Sequence, residues 1–154
     1  MKRTTIFIWI AGVLVLAVGT ALLIGVGGPS QEGQANPQDA QQVALGEKIY
    51  RAHCASCHGA DLKGEPNWRS RRADGRLPAP PHDETGHTWH HPDEVLFRIT
   101  KQGVSAMVPN YESDMPAYAD ILTDAEIWAV LAYIKSRWPE PIQNRQANIN
   151  RRSE

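Results

Sequence analysis

The sequence predicts an all-α domain carried behind a single N-terminal membrane helix. Three observations point there. Apolar residues recur at helical spacing in separate segments, helix-end signals bracket those segments, and a charge-free apolar run opens the chain. The chain has 154 residues, which leaves room for one small folded domain behind that run.

The apolar run covers 6–26, from Ile6 to Val26, with Lys2 and Arg3 in front of it. About 20 apolar residues are enough to cross the hydrocarbon of a bilayer as a helix. The basic pair is expected to stay in the cytoplasm, which puts the rest of the chain on the periplasmic side of a bacterial inner membrane. A cleavable signal peptide begins in the same way. Its apolar core is shorter as a rule, however, and Gly33-Gln34-Ala35 is only a weak cleavage signal. Residues 1–28 are therefore expected to stay as an anchor, and either outcome exports the domain.

Residues 29–38 continue a Gly-, Gln-, Ser- and Pro-containing stretch that cannot bury a core and reads as a flexible linker. The folded domain is expected at 39–140. The polar, Arg-containing tail at 141–154 is expected to be disordered. Net charge is −1, and about −3 once Lys2 and Arg3 are set aside, so there is no basic excess to suggest nucleic acid.

The densest chemical signal is Cys54-Ala55-Ser56-Cys57-His58. C-x-x-C-H is the attachment pattern of c-type haem: each thiol can form a thioether to a haem vinyl group, and the histidine lies beneath the iron. A thioredoxin-like redox pair needs a βαβ setting, whereas the residues before Cys54 read as a helix. Zinc held by Cys54, Cys57, His82 and His87 would need an unusually long loop and would leave His58 idle. With both cysteines committed to one haem, no disulfide framework remains.

A first helix is expected over about 39–52, with Val43, Ile49 and Tyr50 near one face and Gly46 allowing a close approach. From Gly59 to Pro81 the periodicity is lost among Gly64, Pro66, Gly75, Pro78, Pro80 and Pro81. This segment carries Arg69, Arg71, Arg72 and Arg76, a cluster that reads first as a solvated face, with partner docking or propionate pairing as alternatives. His82, His87, His90 and His91 follow in a loop without defined ligand spacing. A second helix is expected to begin at Pro92, favoured by Asp93 and Glu94, and to end at Gly103. Thr123 and Glu126 make a capping box ahead of Ile127, Val130, Leu131 and Ile134, which recur as one amphipathic face. Pro139 and Pro141 are expected to stop this last helix.

A helix ending in C-x-x-C-H, a middle helix, Met115-Pro116-Ala117-Tyr118 and a final Ile127-Trp128-Ala129-Val130-Leu131-Ala132-Tyr133-Ile134 helix together resemble a class I cytochrome c over about 39–139. The resemblance implies the class I cytochrome c fold, in which first and last helices cross with Gly46 and Tyr50 against Trp128 or Tyr133. It implies one covalent haem on Cys54 and Cys57, with His58 and Met115 on its iron. It also implies a proline carbonyl, from Pro80 or Pro81, that accepts the proximal N–H. Met107 and the histidines at 82–91 compete with Met115, which is preferred because Pro116 follows it. Trp89 is left between a propionate donor and core packing.

The function so implied is single-electron transfer between respiratory redox proteins rather than catalysis, since a His/Met-ligated iron has no open position. The alternatives are an electron-transfer subunit of a larger membrane oxidoreductase, or a haem gas-binding or sensor module. A single C-x-x-C-H argues against a dihaem enzyme.

Overall fold

The computed structural model describes residues 33–153, so the expected anchor at 1–28 and the first four residues of the linker, 29–32, lie outside the described residues. Among the described residues there are helices and no strands, and no helix is long and apolar enough to cross a membrane. Helix α1 (Ala40–His53) runs into a single turn, α2 (Ala55–His58). An irregular stretch with a 3₁₀ turn at Thr88–His90 leads to α3 (Asp93–Gln102), and a second 3₁₀ turn at Val104–Ala106 precedes a loop. Helices α4 (Asp124–Ser136) and α5 (Glu140–Ser153) complete the fold.

The capping box at Thr123 and the stop at Gly103 follow the sequence signals, and the structure adds a cap at Asp39 that the sequence reading did not name. Asp39 caps α1 by accepting from the Gln41 and Gln42 amides at 2.9 and 3.1 Å. The capping box at Thr123 and Glu126 is complete, with the carboxylate accepting from the Thr123 amide at 2.8 Å. Gly103 ends α3, and Pro92 stands at its N-cap, one position before the first-turn place expected from the sequence.

Helices α1 and α4 cross so closely that a Cβ on Gly46 would lie 1.9 Å from the Ala129 carbonyl oxygen. Only hydrogen fits there. One turn later the Tyr50 and Tyr133 rings meet, centroids 5.3 Å apart, so Tyr133 and not Trp128 is the aromatic facing α1. Trp128 turns the other way and stacks on Phe97 of α3 at 4.4 Å. The expectation of an amphipathic α4 is corrected by its burial. Every residue from Ile127 to Lys135 is buried, because α1 and α3 cover different faces of it.

The tail expected to be disordered from 141 is helical through Ser153. Pro141 falls in the first turn of α5, where a missing N–H costs nothing. What holds this polar helix is chiefly hydrogen bonding. Pro92 has no side-chain acceptor for the first turn of α3, and Asn150 supplies one, taking the Asp93 amide at 2.8 Å. Gln146, fully buried, donates to Asp93 Oδ1 at 2.6 Å and to the His91 carbonyl at 3.3 Å. Lys135 closes the group with a buried contact to Asp93 Oδ2 at 2.5 Å. A search for apolar periodicity misses such a helix, because only Ile142 adds to the hydrophobic core.

Two substitutions test this packing. Gly46→Ala should force α1 and α4 apart at a cost of roughly 3 kcal/mol, lowering the thermal midpoint by about 12 °C or more by circular dichroism. Asn150→Ala should cost about 1 kcal/mol, the value of a helix cap, and raise hydrogen exchange at the Asp93 amide while leaving α1 protected.

Candidate haem-attachment site

The motif begins where α1 ends. Cys54 closes α1, and the turn of α2 brings His58 back so that its amide bonds the Cys54 carbonyl at 2.9 Å. Cys54 is half-buried against the core and Cys57 is exposed, and both thiols are free. Burial pushes the Cys54 thiol up to about 11, with Cys57 adding to the rise. A thiol protonated at neutral pH does not suit a thioredoxin-like nucleophile.

His58 is buried, and its Nδ1 lies 2.9 Å from the Pro80 carbonyl oxygen. A carbonyl only accepts, so Nδ1 carries the proton and Nε2 keeps the lone pair that a metal needs. Between the two prolines that the sequence offered, Pro80 makes this contact. Burial lowers the imidazole pKa, against the opposing effects of the Pro80 bond and the Glu65 carboxylate.

Gly64 allows Pro80 to come so near. Its φ is +66°, and a Cβ there would lie 2.6 Å from the Ala79 carbonyl oxygen and from the Pro80 carbonyl carbon. The Gly64 amide also donates to the His58 carbonyl at 2.8 Å. In the sequence this glycine reads only as a loop marker, because the close approach depends on a partner 15 residues away in the chain. The Tyr50 hydroxyl donates to the Gly59 carbonyl at 3.0 Å and so ties α1 to the residue after the motif.

The four histidines at 82–91 do not converge. His82 stacks on His58 with centroids 4.0 Å apart and bonds Thr88 Oγ1 through Nδ1 at 2.9 Å. Desolvation holds its pKa well below the usual imidazole value, with His58 and His87 adding. His87 stacks on Trp68 and His90 on Trp89. Among the described residues no three His, Cys, Asp or Glu side chains gather where they could share a metal ion. The Trp89 indole donates to the Glu84 carbonyl at 3.2 Å, which favours core packing over a propionate contact.

Met115 is half-buried and packs against the same core cluster as Cys54 and Ala55, whereas Met107, at the end of the 3₁₀ turn, does not join it. Met115 also lines an open cleft of about 320 Å³ with Gly103, Val104, Tyr111 and Ala117. The Arg cluster stays in contact with solvent, as expected, but its members are not free. Arg72 and Arg76 are bonded to Asp114, next to Met115, while Arg69 lies over the Trp68 ring. Two free thiols at thioether spacing, an imidazole with only Nε2 unused and a thioether side chain on the same core are a donor set that suits a covalent haem.

Two curated relatives are subunits of cbb3-type cytochrome c oxidases. The chain is 34% identical over 59 residues to subunit CcoP of Rubrivivax gelatinosus, covering 38% of this chain and 19% of that protein. It is 26% identical over 112 residues to subunit FixP of Sinorhizobium medicae, covering 71% of this chain and 35% of that protein. The chain thus spans about a third or less of these relatives. No solved structure matches it. The family model described as cytochrome c matches residues 43–138. That stretch is more than half of the chain and takes in the motif at 54–58, the Met115 loop and the whole of α4, so the chain belongs to the cytochrome c family, which implies covalently bound haem c.

Proposed function

We propose that this chain is a membrane-tethered cytochrome c with one haem, passing single electrons between redox proteins on the periplasmic side of a bacterial inner membrane. The observation that carries the reading is the His58 Nδ1 to Pro80 carbonyl contact at 2.9 Å, beside two free thiols at thioether spacing. Haem c, when bound, supplies a one-electron iron couple. The residues of this chain do the rest. Cys54 and Cys57 are the attachment points, and His58 presents a lone pair of fixed direction. Met115, nearer the motif's core cluster than Met107, is the other iron ligand. His82 stacks on the His58 ring and its Nδ1 meets Thr88 Oγ1, which makes it a less suitable second ligand than Met115. If His58 and Met115 both held a haem iron, no position would remain open for a substrate, which would favour exchange of electrons.

The tether rests on the uninterrupted apolar run at 6–26 and the basic pair before it. A second reading, a subunit of a larger respiratory oxidoreductase, is favoured by the likeness to the cbb3 oxidase subunits. Purification of the full chain from its membrane in mild detergent separates the two: a free carrier emerges alone, a subunit with a stoichiometric oxidase or dehydrogenase.

Two outcomes are expected for the purified protein. The haem should resist acid-acetone extraction and give a two-thioether pyridine haemochrome spectrum; extractable haem would refute attachment through Cys54 and Cys57. Met115→Ala should abolish the near-infrared sulfur-to-iron charge-transfer band and let carbon monoxide bind the reduced iron, while Met107→Leu should leave the band intact. A wild-type protein that binds carbon monoxide readily would point to the sensor reading instead.

A further inference from the structure

The loop that carries Met115 has little backbone support. Among the described residues, no backbone N–H or C=O from 112 to 117 takes part in a backbone–backbone hydrogen bond, and regular pairing resumes only where Tyr118 and Ala119 donate to the Thr100 and Lys101 carbonyls. The loop is held instead by side chains. The Met115 amide donates to Ser113 Oγ at 3.1 Å, and Asp114 receives two guanidinium groups, Arg72 at 2.9 Å and Arg76 at 2.6 Å. Arg76 also reaches Glu112 at 3.8 Å.

Both arginines come from the irregular segment after the motif, where a tight turn sets them side by side. The Arg72 amide bonds the Arg76 carbonyl, and the Gly75 amide bonds the Arg72 carbonyl, each at 2.9 Å. Arg72 continues in the other direction. Its Nη2 bonds both oxygens of Glu65 at 2.7 Å, and Glu65 Oε2 accepts from the Ala79 amide at 2.7 Å. Ala79 directly precedes Pro80, whose carbonyl orients His58.

We propose that Arg72, Arg76, Asp114 and Glu65 form a positioning clamp that holds the Met115 loop in place, so that Met115 would stay available to a haem iron, and ties it to the segment that orients His58. This rests on the reading of Met115 as an iron ligand. The clamp works through geometry: Arg72 joins Asp114, the residue before Met115, to Glu65, which in turn accepts from the amide of Ala79, the residue before Pro80, so opening the Met115 loop frees one end of the arginine that steadies Glu65. All four side chains keep contact with solvent, at 36% to 44% of their full exposure. Each pair alone is therefore weak, and the bridging of several charges by one arginine carries the effect.

The test reads how often the methionine leaves the iron. A neutral external ligand, imidazole at mildly alkaline pH, binds the oxidised holoprotein only when that position is open, so its apparent affinity scales with the open population. Asp114→Asn should raise imidazole affinity about fivefold and the Arg72→Gln/Arg76→Gln pair at least as much, and the triple variant should show no gain over the Arg pair, which already removes both guanidinium contacts of Asp114. Glu65→Gln should raise it in the same direction, and Arg69→Gln should leave it unchanged. Raising salt should increase imidazole affinity in the wild type and do so less in Asp114→Asn, a measurement that needs no folded Arg variant. If affinity and its salt dependence match the wild type in the clamp variants while Met115→Ala binds imidazole far more tightly, the clamp is overturned and the ligand assignment stands. If Met115→Ala binds imidazole no better than the wild type, the ligand assignment falls, and the clamp with it.

Discussion

The backbone contact between α1 and α4 at Gly46 and Ala129 sets everything that follows it in space. It brings the helices together at a distance that no side chain permits, and one turn further on it seats Tyr50, fully buried, between Tyr133 and the residues after the motif. Because α1 ends at Cys54, the crossing also fixes where the attachment motif begins. The hydrophobic core and the site are therefore one construction. Tyr50 packs the helix crossing with its ring and steadies the Gly59 carbonyl with its hydroxyl. Its own ionisation is pushed higher by burial, so the hydroxyl stays a donor.

Around His58 the protein spends its polar groups on orientation. The Pro80 carbonyl selects the tautomer, Gly64 lets Pro80 approach, and His82 lies flat against the ring while its own Nδ1 meets Thr88. The Trp138 indole then holds the His82 carbonyl at 2.7 Å, which links the end of α4 to the loop beneath the site. Orientation of this kind is what outer partners of a metal-binding histidine provide.

Much of this was legible in the sequence. The motif at 54–58, the capping box at Thr123 and the stop at Gly103 rest on local residue types or short spacings, which a linear reading captures, and the glycine–aromatic crossing was implied by the family resemblance. What could not be read depends on partners distant in the chain. Pro80 and Pro81 look alike until Gly64 is brought against the Ala79–Pro80 peptide. His82 counts as one of four loop histidines until the fold stacks it on His58. Arg72 and Arg76 are surface charges whose partner, Asp114, lies about 40 residues later and is not legible from spacing. The amphipathic stripe foreseen for α4 failed for a related reason: the number of neighbours covering a helix is a property of the tertiary packing and not of its periodicity. The anchor expected at 1–28 lies outside the described residues.

Helix α5 has the most unusual attachment. Its seam with α3 is a run of matched dipoles and charges, Gln146 and Asn150 against the first turn of α3, with Arg145 laid over Trp89 and Ile142 as its apolar contribution. Polar and apolar surface have opposite effects on heat capacity when they become wet. Lifting α5 away would accordingly expose a mixed surface with a small calorimetric signature and little adhesive area, unlike the loss of α4. A segment secured in this way adds little to the apolar core, so the close crossing of α1 and α4 does not depend on it.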